Sequence, residues 1–454
     1  MDLITTAALI KKRELSPVDL VNENLQKIFA ENPKNNSFIT IVEDEAIKAA
    51  KSLEKEIIAG SIRSPLHGIP IAIKDLIYTK NIRTTMGSKV YENFIPDIDA
   101  TVVQKLKEAG AIIIGKTNTH EFAYGPTGDR SYFGPCRNPH DLEKMSGGSS
   151  SGSAAAVAAD MVIASIGTDT GGSIRIPSSA CGVVGMKPTF GSVSKYGAFK
   201  LAYTLDHIGP ITKTIKDNAL LLNFITGYDP NDPYSLHKEK EDYSIFIGKD
   251  IRGKTIGIPS YYFNRVEEEV KNVVQKCIEI AKDLQVTVKE VEIPMMKQIG
   301  DAQAVTIKSE ASAVHVDTLK NHKDDIDPEV YERLINSQRI KGYEYALSQL
   351  TRNELISQYN EVFQDVDVLL TPTLPILPPN IGQREVVIDN EKESVQDALL
   401  RLTSPTNYTG NPSLSIPCGK SANGLPIGVQ FIAKHENEAK LYQFGYAFEE
   451  ALGL

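Results

Sequence analysis

Residues 144–187 place two glycine–serine clusters, at 147–153 and 171–173, on either side of an alanine-rich segment. No other stretch restricts the chain as much. Glycine lets the backbone take φ > 0 and approach a bound group closely. The neighbouring serines supply hydroxyls, and N–H groups gathered at a helix start favour an anion or a developing oxyanion. The alanines between suit a short helix running into a strand. The pattern points to a nucleophile with an oxyanion hole built largely from backbone.

Other readings of these residues are weaker. A flexible helix-capping turn would explain the first cluster, but not the second, Thr168-Asp169-Thr170-Gly171-Gly172-Ser173, so soon after it. No G-x-x-x-x-G-K-[ST] phosphate loop is present. Gly148-Ser149-Ser150-Ser151-Gly152 matches G-x-S-x-G, yet the downstream acids and histidines (Asp206, His207, His315, His435) sit in no supporting pattern. Ser192-Val193-Ser194-Lys195 matches S-x-x-K, but its S-D-N and K-T-G partners are missing.

Around this stretch, helical and strand patterns alternate. Ser16-Pro17 caps an amphipathic helix, and another covers 44–60. The run Gly68-Ile69-Pro70-Ile71-Ala72-Ile73-Lys74-Asp75 reads as a buried strand that delivers Lys74 to a sheet edge. Helix-then-strand recurs at 100–115 and 154–167, with further strands at 254–259, 286–294, 366–370, 414–417 and 428–432. Residues 375–392 read as a loop rich in proline and charge. The expected fold class is α/β: a single large domain over 1–454, with a central mixed, mostly parallel sheet covered by helices on both faces. N-terminal helices would occupy 1–60 and a helical excursion about 300–363.

A net charge of −9 without a long basic run argues against direct nucleic-acid binding. No apolar run is long enough for a membrane span. Cys136, Cys181, Cys277 and Cys418 are far apart and form no CxxC, as expected of buried thiols in a reducing cytoplasm. The start shows no secretion signal. The eight histidines are scattered without metal-ligand spacing, so no metal and no cofactor are expected. His120 reads as a surface or pocket-rim residue.

Several segments together resemble the amidase signature enzymes. They are Gly147-Gly148-Ser149-Ser150 with Gly152-Ser153-Ala154, Gly167-Thr168-Asp169-Thr170-Gly171-Gly172-Ser173-Ile174-Arg175, the lysine segment 68–75, and Leu205-Asp206-His207-Ile208-Gly209-Pro210. Asn411-Pro412-Ser413 and Gly424-Leu425-Pro426-Ile427-Gly428-Val429-Gln430 are similar to that family as well. The likeness covers nearly the whole chain. It implies Ser173 as nucleophile, Ser149 as a bridging serine behind a cis peptide bond, and Lys74 as general base. It further implies an oxyanion hole from the backbone of Thr170, Gly171, Gly172 and Ser173, and a substrate pocket at Phe122, Tyr124, Gly125 and Ser150. Asp169 and Arg175 would be structural support, a charge pair pinning the loop. The family usually has glycine at 151; if Ser151 needed a left-handed backbone, strain of about 1–2 kcal/mol would follow.

These roles are chemically coherent. A serine hydroxyl needs a base to take its proton, and lysine can be that base only when neutral, against a free pKa of about 10.4. Burial among Ile69, Ile71 and Ile73 penalises the ammonium, while Asp75 should point the opposite way along the strand.

The expected activity is cleavage of a carboxylic amide C–N bond through a serine acyl-enzyme, releasing acid and ammonia or an amine from a small-molecule substrate. Free-standing amidases and the A subunit of glutamyl-tRNA amidotransferases are the two subgroups in view. The latter is a glutaminase working with a tRNA-binding partner; a homodimer is also left open. Gly227-Tyr228-Asp229-Pro230 favours the A subunit, whereas Thr119-His120-Glu121 and Ile176 depart from it. Glutamine needs a cation for its carboxylate, for which Arg333 aligns loosely. It also needs an acid for its amine, and Leu400 stands there. The expectation is a free-standing amidase. The glutaminase that works with a partner is one alternative, and a non-catalytic scaffold a second. The scaffold is disfavoured by the presence of all three of Lys74, Ser149 and Ser173.

Overall fold

A computed structural model describes residues 1–239 and 241–453. Among the described residues, eleven strands form one sheet: β1 (Phe38–Ile41), β2 (Pro70–Lys74), β3 (Ile112–Thr117), β4 (Ala164–Asp169), β5 (Val184–Lys187), β6 (His207–Thr212), β7 (Thr255–Pro259), β8 (Thr287–Val291), β9 (Val368–Pro372), β10 (Ser413–Lys420) and β11 (Pro426–Ile432). Their order across the sheet is β1-β3-β2-β4-β6-β5-β10-β11-β9-β7-β8.

The sheet is mixed, but its expected mostly parallel character is corrected. The pairs β2–β3, β2–β4, β7–β9 and β7–β8 are parallel, and the other six are antiparallel. Connection length supplies one reason. Only residues 421–425 separate β10 from β11, and a parallel crossover needs a dozen or more.

Alternation along the central strands splits the core in two. Ile71, Ile73, Ile113 and Ile166 face one hydrophobic cluster, which includes Val103, Leu222, Val274 and Phe444 from helices on that side. Ala72, Ile112, Ile114 and Ile211 face the other, packed with Val21, Leu25, Ala50 and Ala154. Both faces are therefore covered.

The N-terminal helices are Leu3–Lys11, Pro17–Asn35 and Glu43–Ile58. Ser16 caps the second, accepting from the backbone of Val18 and Asp19, with Pro17 at its first turn. Between Ile299 and Asp365 the chain is almost entirely helical and flanks the mouth of the site described below. Residues 375–392 are not all loop: Glu385–Ile388 and Glu391–Ser394 pair as a hairpin. Its turn uses Asp389 and Asn390 at positive φ, residue types that tolerate that conformation. No described helix is long and apolar enough to cross a membrane.

Candidate active site

The last residue of β2 is Lys74, and all five residues of that strand are buried. Its Nζ donates to Ser149 Oγ at 2.7 Å and to Thr168 Oγ1 at 2.7 Å. No carboxylate lies within ion-pairing distance among the described residues. Asp75 turns away, its Oδ2 accepting from Thr85 N at 2.8 Å and its Oδ1 lying 3.6 Å from Lys116 Nζ. Burial drives the Lys74 pKa well below its ordinary value, against the weaker pull of Asp169 and Asp206 toward the ammonium.

Ser149 follows a cis Gly148–Ser149 peptide bond and precedes the helix Ser151–Ala158. Ser151 sits in that helix without positive φ, so the departure from glycine there carries no left-handed strain. Ser150 ties the two serine loops together. Its N–H donates to Ser173 O at 3.1 Å, and its hydroxyl donates to Thr168 O at 2.9 Å.

Ser173 lies just before the helix Arg175–Cys181 and lines a cavity of about 440 Å³ with Tyr124, Gly125, Thr170, Gly171 and Leu400. Its hydroxyl makes no hydrogen bond within the described residues.

The loop is built around Asp169. Its carboxylate accepts from Gly172 N at 2.8 Å, Ile174 N at 3.1 Å, Asn407 Nδ2 at 2.7 Å, and Arg175 Nε and Nη2 at 3.1 and 3.0 Å. Burial alone would raise this carboxyl, but the Arg175 guanidinium holds it well below the usual range. Arg175, fully buried, spends its remaining donors on Thr406 Oγ1 at 2.7 Å, Gln430 Oε1 at 3.1 Å and Asn407 Oδ1 at 2.7 Å.

These bonds revise one expected oxyanion donor. The Gly172 amide is committed to Asp169. The amides of Thr170, Gly171 and Ser173 make no hydrogen bond within the described residues. Gly172 is required for another reason: its φ is +135°, and a Cβ there would lie 2.1 Å from Thr403 Oγ1.

Of the expected pocket residues, Tyr124 and Gly125 line the cavity and two do not. Phe122 is buried at positive φ, its ring stacked 5.9 Å from Phe199 and 4.6 Å from His315. The Ser150 hydroxyl is spent on the Thr168 backbone. His120, read from sequence as a surface or rim residue, is fully buried. Its ring lies against Gly125, where a Cβ would meet Nε2 at 2.2 Å.

Arg333 and Leu400 both line the cavity. Arg333 donates to Tyr124 O and, at 2.9 Å, to Glu329. Leu400 Cδ2 comes within 3.1 Å of where a Cβ on Gly171 would sit. Among the described residues no cluster of three or more His, Cys, Asp or Glu is placed to hold a metal.

Sequence reasoning gave no site role to Thr168, Thr403, Thr406 or Asn407. Thr168 lay within a quoted motif, and nothing in the linear pattern set it apart from its neighbours.

This chain is similar to proteins of known type along nearly its full length. The A subunit of glutamyl-tRNA(Gln) amidotransferase from Geobacter sp. (strain M21) is 39% identical, covering 97% of this chain and 95% of that protein. A solved chain from a vestigial protein complex, described as revealing the evolutionary origins of an s-triazine catabolic enzyme, superposes with a TM-score of 0.95 at 32% identity, covering 99% of this chain and 98% of its own. The A subunit of glutamyl-tRNA(Gln) amidotransferase from Thermotoga maritima superposes at 0.82 with 36% identity, covering 96% and 91%. The family model described as Amidase matches residues 19–442, and the chain therefore belongs to the amidase signature family.

Proposed function

We propose that the protein is an amidohydrolase that cleaves a carboxylic amide through a serine acyl-enzyme, acting as a free-standing amidase. The observation that carries the amide-cleaving chemistry is Lys74, wholly buried with only hydroxyls at its amine. Without a carboxylate partner a buried ammonium is strongly penalised, so the amine is neutral and able to act as a base. In that state the 2.7 Å contact can run the other way, with Ser149 O–H donating to the nitrogen lone pair.

Ser173 Oγ then attacks the amide carbonyl and passes its proton to Ser149, whose own proton goes to Lys74. The tetrahedral oxyanion is held by the amides of Gly171 and Ser173, with Thr170 beside them; each such donor is worth about 10²–10³ in rate. Collapse returns a proton by the same relay to the leaving nitrogen, which departs as ammonia or an amine. Water repeats the attack on the ester and releases the acid. The Asp169–Arg175 pair fixes the loop and takes no proton. The four buried free thiols fit a reducing compartment, the cytoplasm in this reading.

A second reading, a glutaminase working with a tRNA-binding partner, is favoured by the 39% identity to an amidotransferase A subunit. Against it, the apolar Leu400 borders the cavity beside Gly171, where an acid would serve an α-amine. A serine-reactive fluorophosphonate should label the purified chain at Ser173 and fail on Ser173→Ala. Turnover of simple aliphatic and aryl amides by the chain alone supports the free amidase. Ammonia release from glutamine only with a tRNA-binding partner present would replace it with the second reading.

A further inference from the structure

Asp206, at the end of the loop leading into β6, lies outside the machinery assigned above. Its Oδ1 accepts Thr170 Oγ1 at 2.6 Å and Ala202 N at 3.1 Å, and its Oδ2 accepts Leu201 N at 3.0 Å. The bonds to residues 201 and 202 span four or five positions and would by themselves only close a local turn. The bond to Thr170 spans 36 positions and reaches the loop that presents Ser173. Leu201 lines the same cavity as Ser173. One carboxylate thus joins the nucleophile loop to a wall of the pocket.

We propose that Asp206 is a positioning residue for amide cleavage, holding Thr170, and with it the backbone donors of Gly171 and Ser173, in register with the pocket wall at Leu201 and Ala202. The proposal rests on the amidohydrolase reading above. A geometric reason makes the clamp matter. Oxyanion donors act by being preorganised, and Gly171 and Gly172 are the two residues least able to hold their own backbone. Gly172, at the C-terminal end of this pair, is fixed by its bond to Asp169. Thr170, on the N-terminal side, has Asp206 as its side-chain anchor.

Asp206 also faces Lys74 electrically. A small space bordered by Thr168, Thr170, Lys195, Lys200, Asp206 and His207 adjoins the loop, and Thr168 is the second hydroxyl on Lys74. Burial raises the Asp206 carboxyl to about 6, against its hydrogen bonds from Thr170, Ala202 and Leu201. Burial also lowers Lys195 to about 8 and drives His207 well below its ordinary value. Near neutral pH the space thus holds an ionised Asp206, a neutral His207 and the charge of Lys195. The Asp206 charge favours the Lys74 ammonium.

The test uses the full chain, the fluorophosphonate probe and four variants: Asp206→Asn, Thr170→Val, their double, and Thr170→Ser. The two single changes should each slow Ser173 labelling about tenfold. The double should lose the same tenfold and not a hundredfold, because both remove one interaction. Thr170→Ser, which keeps the hydroxyl, should stay within about twofold of the parent. In Asp206→Asn the acid limb of the labelling profile should move to lower pH, since a charge favouring the Lys74 ammonium is gone. An Asp206 that acted only through its charge would move the limb without coupling to Thr170, so the coupling is the readout that separates a positioning role from that one. Asp206→Asn labelling at the parent rate, or losses that multiply in the double, would overturn the proposal while leaving the amidohydrolase reading intact. No labelling of the parent chain at Ser173 would overturn both.

Discussion

Replacing Asp169 by Asn tests what holds the nucleophile loop. Five donors reach this carboxylate within 3.1 Å: the amides of Gly172 and Ile174, Asn407 Nδ2, and two nitrogens of Arg175. Asparagine keeps the shape but offers one acceptor atom. Whichever way its amide turns, its NH₂ meets at least two of those donors. Arg175, fully buried, is left as a positive charge without a counterion. Breaking a buried pair by removing one partner costs about 3–5 kcal/mol, and that is the expected loss in urea unfolding. The double variant Asp169→Asn, Arg175→Met removes the stranded charge, so it should be less destabilised than the sum of its parts. Ser173 labelling should fall with Asp169→Asn even where the protein stays folded, since the loop loses at least two of the bonds that anchor it. Those are the bonds of Ile174 N and Arg175 Nε, or those of Gly172 N, Arg175 Nη2 and Asn407 Nδ2, depending on how the amide turns. The pH sign also follows. Asp169 has a depressed folded-state pKa, so its contribution is fully present above the unfolded carboxylate value of about 3.9 and is lost only as pH falls toward the lower folded value. Between pH 5 and 8, roughly, the variant's deficit should therefore stay constant. A loss under about 1 kcal/mol, or a double variant that shows the full sum, would refute the reasoning.

Other consequences can be checked alongside. Gly172→Ala places a Cβ 2.1 Å from Thr403 Oγ1 at φ +135°; labelling and thermal stability should both fall, and Thr403→Ser, which keeps that oxygen, should not rescue them. Burial lowers Lys116 to about 8 against the opposing pull of Asp75. In the unfolded chain this lysine stays protonated to about 10.4, so between those values the unfolded state binds more protons and stability gains a contribution that rises with pH. Lys116→Met should remove that rise in chemical-denaturation curves between about pH 8 and 10. Leu400→Asp puts a carboxylate beside Gly171, and KM for uncharged amides should rise severalfold, an unchanged KM showing that this wall does not touch substrate.

What the sequence revealed follows the range of the forces involved. Lys74 at a strand end, the two glycine–serine loops and the Asp169–Arg175 pair depend on local pattern, and each was visible as such. The partners that enclose Arg175 were not: Thr406, Asn407 and Gln430 come from more than 200 positions away, and only the closing of the sheet brings them in. The errors were directional. Phe122, Ser150 and the Gly172 amide were named from the right segments, but ring packing at Phe122 and hydrogen bonding at the other two engage them outside the cavity. Strand polarity was likewise underdetermined, because apolar runs such as those of β2 and β4 read alike in parallel and antiparallel neighbours. The strands β5 and β6 were not anticipated as strands, although part of β6 lies in the 205–210 segment that resembles the family.

The central claim is that Lys74 is an uncharged amine at neutral pH. The most direct measurement is the rate of fluorophosphonate labelling at Ser173 from about pH 5 to 11, in the parent chain and in Lys74→Ala. The account expects a rise to a plateau with a midpoint well below the free-lysine value of about 10.4, and loss of that limb together with about 10²–10⁴ in rate in the variant. A rate that climbs steadily until about pH 10 or beyond, or a Lys74→Ala chain that labels like the parent, would contradict it.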